Sequence, residues 1–206
     1  MAISQSRKQQ LEKRNLLSSV FVVVLIGISY QEMIGPIRES LRISGTTLGT
    51  ILMFAIFFAT SMRFFMGNQL HLSSDDLVNM KGQVWFFDLL VIILQTTIII
   101  FLGGVCSVEV SRNAKIGFVD HLIALYSLDV LWIFSQWGLG LISKSWQRSF
   151  IPWAWCILNS VLIGGIIVLR LIVKDIYTDT GLILLAVLNG VAFVVDVMLV
   201  DYYDVI

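Results

Sequence analysis

Long apolar runs separated by short polar clusters, rather than strict alternation with a period of two, pattern this chain from residue 16 onward. Six runs, at about 16–34, 47–66, 84–105, 118–142, 151–173 and 182–200, are of the length a spanning helix requires. A helix crossing a hydrocarbon core of about 30 Å needs roughly 20 predominantly apolar residues. The pattern predicts an all-α fold: a polytopic transmembrane helix bundle of about six spans with no soluble domain. Residues 1–15 form a basic tail, and 16–206 form a single transmembrane domain. Gly35-Pro36 is expected to break the chain after the first span, and Pro152 to sit in the first turn of the fifth, where proline is tolerated. The segment Ser73-Ser74-Asp75-Asp76-Leu77-Val78-Asn79-Met80 has a helix-capping start and is expected to form a short interfacial turn or two within the longest loop, 67–83.

Composition agrees with this pattern. Of 206 residues, 57% are hydrophobic and 14% charged, against about 45–50% and about 25% in soluble domains, and the mean hydropathy is +0.88. Fourteen Lys and Arg balance fourteen Asp and Glu, so direct nucleic-acid binding is not expected. Cys106 and Cys156 fall at opposite ends of their spans and supply no disulfide framework. Arg7, Lys8, Lys13 and Arg14 precede an apolar run too long for a cleavable signal core, which predicts an uncleaved first helix. By the positive-inside rule both termini are expected in the cytoplasm, with seven basic residues on the inner side against five outside. Trp85, Trp137, Trp146, Trp153, Trp155, Tyr202 and Tyr203 then fall near the inner interface. The predicted location is the cell membrane.

Seven ionisable residues lie inside the spans: Glu32, Arg63, Asp88, Asp120, Asp129, Arg170 and Asp196. Each costs about 2.5–3.5 kcal/mol at a helix centre, so such groups face protein or water and often mark a pathway. The predicted depths put Arg63, Asp88 and Asp196 at one level near the inner end, and Asp120, His121 and Arg170 at the outer level. Asp129 stands near the midplane with no opposite charge at its depth, while Glu32 is placed to snorkel. Arg63 is expected to pair with Asp88 or Asp196, and Arg170 with Asp120. Inside the spans five acids face two basic residues; outside, nine acids face twelve basic residues. Overall neutrality thus conceals an acidic interior with basic rims.

Helical angles of 100° per residue assign faces. Gly45, Gly49, Ala55, Ala59 and Arg63 fall within roughly 120° on the second span, a small-residue stripe expected to lie in a helix contact. Asp88 and Gln95 are seven apart on the third span, and Asp129 and Gln136 repeat that spacing on the fourth. Asn189, Ala192 and Asp196 share a face of the sixth, and the fourth span, polar on two sides, is expected at the centre of the bundle. The glycines Gly103-Gly104, Gly138, Gly140 and Gly164-Gly165 read as points of close packing. Arg63 to Arg170 and Asp88 to Asp196 have nearly equal spacing, 107 and 108 residues, but their flanks agree only in apolar character, and chance accounts for it.

Catalytic motifs are missing. The chain has no HExxH, no GxSxG, no P-loop and no CxxC. His71 and His121 belong to opposite ends and cannot jointly hold a metal, and His71 reads as an interface histidine. No enzyme, cofactor or metal is expected. Two functional classes remain. The first is an oligomeric channel, pore or transporter for cations or protons, its polar lining drawn from Asp129, Asp88, Asp196, Asn189, Gln95 and Gln136. The second is a membrane scaffold, sensor or effector subunit that docks a soluble cytoplasmic partner on 1–15, 67–83 and 143–150. Compact multi-pass proteins of this size also occur in bacterial phage-defence systems, although no motif here carries that resemblance. In both classes the partners are the lipid bilayer and further copies of the chain.

Overall fold

The computed structural model describes residues 5–44, 48–73, 82–142 and 153–204. Seven helices and no strand are found among them: α1 (Gln5–Ser44), α2 (Leu48–Ser73), α3 (Gly82–Gly104), α4 (Val108–Asn113), α5 (Phe118–Ile142), α6 (Trp153–Ile172) and α7 (Asp179–Asp204). Five of these, α2, α3, α5, α6 and α7, are long and apolar enough to cross a membrane. The remaining predicted span, 16–34, lies inside α1. This is an all-helical, multi-pass membrane bundle.

The six long helices close into a ring in the order α1, α3, α5, α6, α7, α2, and α2 returns to α1. Span four, α5, is therefore a member of the ring, flanked by α3 and α6, and does not occupy the centre expected for it. The most enclosed helix is α2, with half of its span buried against 28% for α6 and for α7. Its interior face carries Met53, Ile56, Phe57, Thr60, Arg63 and Phe64, all buried. The small-residue stripe lies off that face: Ala55 is exposed and Ala59 only half-buried. Aromatic and aliphatic bulk, not small side chains, fills this contact. Gly49 does pack closely, since a Cβ there would meet Val108 and Leu182 at 2.7 and 3.2 Å, and Gly45 lies outside the described residues.

Pro36 does not end the first helix. α1 runs for 40 residues with Pro36 inside it, about 60 Å at 1.5 Å per residue, so it projects well beyond a bilayer core of about 30 Å. Proline removes one backbone donor and frees the carbonyl four residues earlier, that of Glu32. Glu32 is exposed and lies at the edge of the apolar run, where water can satisfy that carbonyl. Contacts on both sides of the proline then hold the continued helix. Met33 and Ile37 join the main core, and Ser40 Oγ lies 2.9 Å from both Thr50 Oγ1 and Glu109 Oε2.

The loop expected at 67–83 begins later than its polar letters suggest. α2 continues to Ser73 with a membrane-compatible stretch reaching His71, and Asn68 is buried. Gly67 permits this. A Cβ at that position would fall 1.3 Å from the Trp155 ring, so the indole lies directly against the α2 backbone. Trp155, expected at the interface, is buried, whereas Trp137 and Trp153 are exposed and pack edge to face at 6.1 Å. Gly103 and Gly165 are also close-approach points, against the Ser29 carbonyl and Leu188, while Gly104, Gly138 and Gly164 face open space. Both cysteines are free and buried, and burial raises the Cys106 thiol well above its ordinary pKa. The segments 74–81 and 143–152, which include most of the predicted docking loops, lie outside the described residues.

Candidate functional site

Two polar clusters occupy the interior of the ring, in the half nearer the end where α2 finishes and α3 begins, here the His71 end. The larger is a hydrogen-bonded chain contributed by five helices. Arg63 on α2 pairs through Nε with Asp196 Oδ2 on α7. Its Nη2 donates to Asn159 Oδ1 on α6 at 3.1 Å. Asn159 Nδ2 donates to Asp129 Oδ2 on α5 at 2.5 Å, and Gln95 Nε2 on α3 donates to Asp129 Oδ1 at 2.8 Å. All five side chains are buried, Asn159 completely. The chain crosses the ring from α7 to α3 and involves every long helix except α1.

Position along each helix gives the chain its slope. Gln95 and Asp129 lie near the middle of their spans, Arg63 and Asn159 a turn nearer the His71 end, and Asp196 nearest to it. Arg63 is eight residues before His71, about 12 Å along the axis, deeper than its predicted position because α2 is longer than its apolar run. The polar chain thus leads obliquely from mid-depth toward one end of the bundle. One guanidinium serves two carboxyl groups in it, so with both acids ionised the cluster carries a net negative charge.

Three neighbours support the guanidinium. The Tyr126 ring lies beneath it, 5.6 Å from Cζ, a cation–π arrangement that stabilises a desolvated arginine. Tyr126 Oη in turn donates to Asn189 Oδ1, and Thr60 Oγ1 stands 3.1 Å from Tyr126 Oη. Asn189 is held on its own helix by donating Nδ2 to the Leu185 carbonyl at 2.9 Å. The Trp155 indole faces the Asp196 carboxylate, and Arg63 Nη1 and Gln95 Oε1 are buried without a protein partner, positions that water could serve.

The second cluster surrounds Asp88. Its Oδ1 accepts from Trp132 Nε1 at 3.0 Å and from Gln136 Nε2 at 2.8 Å, both on α5. Its Oδ2 lies 3.1 Å from His71 Nε2 on α2. Arg63 therefore pairs with Asp196 rather than with Asp88, whose contacts among the described residues include a histidine and two neutral donors. Read together, α3 and α5 form two crossed rungs, Gln95 with Asp129 and Asp88 with Gln136. Each helix supplies one acid and one amide seven residues apart, about 10 Å along the axis.

Asp120 and Arg170 meet elsewhere, in a half-exposed pair near the opposite end. Asp120 Oδ2 also accepts from the Gly117 N–H at 3.0 Å and so caps the start of α5. Arg112 pairs with Asp175 beside it. Arg63 and Arg170 occupy non-equivalent surroundings, so their spacing reflects no structural repeat of this pair.

Asn159, Tyr126, Thr60, Trp132 and His71 belong to these clusters and were not among the residues proposed from sequence for a polar lining. A signal existed for Asn159, an amide inside the apolar run of α6. Tyr126 and Trp132 read as ordinary apolar bulk until their polar atoms are placed. Among the described residues no group of three or more His, Cys, Asp or Glu side chains is arranged to hold a metal. Compared with protein-family models, with curated proteins and with solved structures, the chain finds no match.

Proposed function

We propose that this chain is a small membrane transport protein for protons or small cations, with Asp129 as its exchanging group. The observation that carries this reading is the setting of Asp129: fully buried near mid-depth, held by two neutral amides and joined through Asn159 to the Arg63–Asp196 pair. Its partners serve both protonation states. When Asp129 is ionised, Gln95 Nε2 donates to it; when it is protonated, rotation of the Gln95 amide presents Oε1, otherwise buried without a partner, to the acid hydroxyl. Proton uptake at Asp129 thus keeps a hydrogen bond between Gln95 and the acid in both states. Asn159 links that event to the guanidinium and so to Asp196 at the His71 end.

In this reading the protein is not an enzyme. It works as a homo-oligomer in the cell membrane with both termini cytoplasmic. The scaffold alternative draws on 1–15, 67–83 and 143–150, of which 1–4, 74–81 and 143–150 lie outside the described residues. The test is proton and monovalent-cation flux in reconstituted vesicles. Asp129→Asn keeps the shape and a hydrogen-bonding oxygen yet cannot exchange a proton, so flux falls to background while assembly, read by size-exclusion chromatography, is unchanged. Equal flux from Asp129→Asn and wild type, or none from wild type, rejects the proposal.

A further inference from the structure

The Asp88 cluster takes no part in the five-residue chain, although it repeats the carboxyl–amide pairing of Asp129 one level nearer the His71 end. It also contains a histidine, a side-chain type able both to accept and to donate a proton through its two ring nitrogens. His71 is partly exposed, its side chain retaining 13% of its accessibility, whereas Asp88 behind it retains 1%. The Trp132 ring packs edge-on against the imidazole with centroids 4.9 Å apart. Trp132 Nε1 holds Asp88 as well, so one indole fixes both members of the pair.

We infer that His71 is the proton port of this interior, taking a proton from water at its end of the bundle and delivering it to Asp88. The inference rests on the transport reading of Asp129 and names its point of entry. His71, protonated from water, passes its Nε2 proton to Asp88 Oδ2 and returns to the neutral ring. No electron moves; hydronium is the proton source, and water is what it leaves behind. The proton then stands on the first rung, two helical turns from Gln95 and Asp129. Among the described residues His71 faces Asp88 from α3 and Trp132 from α5, and Gln136 from α5 reaches the same carboxyl group. Among the described residues of α2 the nearest charge is Arg63, two turns away, and from α1 Ser19 bonds Gln69 rather than the imidazole.

The test is full-length protein in phosphatidylcholine–phosphatidylglycerol vesicles enclosing a pH-sensitive dye, comparing wild type, His71→Gln, Asp88→Asn and Asp129→Asn. His71→Gln retains a side-chain N–H for Asp88 but cannot carry a titrating proton. It is expected to reduce proton flux about tenfold or more and to flatten the dependence of flux on external pH, and Asp88→Asn is expected to match it. Wild-type flux and an unchanged pH profile in His71→Gln, with Asp129→Asn inactive, overturn the port and leave the Asp129 reading standing. Equal proton flux from wild type and Asp129→Asn overturns both. Where His71→Gln fails to assemble, Asp88→Asn decides: loss of flux with intact assembly supports the port, and retention overturns it.

Discussion

Arg63 with Asp196 and Arg170 with Asp120 are the same chemical pair in two surroundings. The Arg63 pair is buried, its side chains 0% and 8% exposed, and it continues into Asn159 and Asp129. The Arg170 pair sits at the rim, 37% and 41% exposed. At the rim each ion can turn to water and headgroups, so screening removes most of the Coulomb gain. Inside the ring each ion is desolvated and depends chiefly on its protein neighbours, so losing one strands the rest. The same two residue types thus connect five helices in one place and decorate a surface in the other.

Substitutions that remove one partner separate the two cases most widely. Arg63→Ala leaves the Asp196 and Asp129 carboxyl groups in the interior without their cation and is expected to cost about 3–5 kcal/mol, read by denaturant unfolding in bicelles. Combining it with Asp196→Ala should cost less than the sum of the single losses, whereas its combination with Asp88→Ala should be near additive. Coupling to Asp88 in place of Asp196 would break the assignment of the interior pair.

A packing change at the same level is expected to rank second. Gly67→Ala forces a methyl group into the Trp155 ring and should cost about 1–3 kcal/mol, visible as a lower midpoint of thermal unfolding. Adding Trp155→Leu should recover part of that loss. If Gly67→Ala alone is neutral, the indole does not seat on α2. The smallest effect is expected at the rim. Arg170→Ala should cost about 1 kcal/mol or less after screening, and the loss should fall further with added salt. A loss comparable to that of Arg63→Ala would erase the distinction between the regions.

Much of the architecture was legible because single-helix properties report it. Apolar run length located the spans, and the expense of charge in hydrocarbon meant that Arg63, Asp88, Asp129 and Asp196 had to turn inward. Burial of Gln95, Gln136 and Asn189 follows from the same cost applied to amides. The pairings were less legible. Helical angles group Asp88 with Gln95 on one face, but their partners lie on α5, crossed, because α3 and α5 set their own axial offset. Asn159 has no charge and drew no attention, yet it is the link between Arg63 and Asp129. The proline in α1 and the glycine at 67 misled in opposite ways. Pro36 reads as a stop and lies inside a helix held by Ser40, Met33 and Ile37, while Gly67 opens a polar stretch that reads as a loop and is a seat for Trp155.

By itself, then, the amino-acid order determined that the chain crosses a membrane as helices and that its few embedded charges face one another rather than lipid. Hydropathy and the price of desolvation act on each segment separately, so no partner need be known. Only the tertiary structure decided the ring order, the choice of Asp196 over Asp88 for Arg63, and the placing of His71 in front of a second carboxyl group. Those outcomes depend on how far each helix is rotated and shifted against its neighbours. Side-chain packing at contacts such as Trp155 on Gly67 sets these quantities, and no single segment contains them.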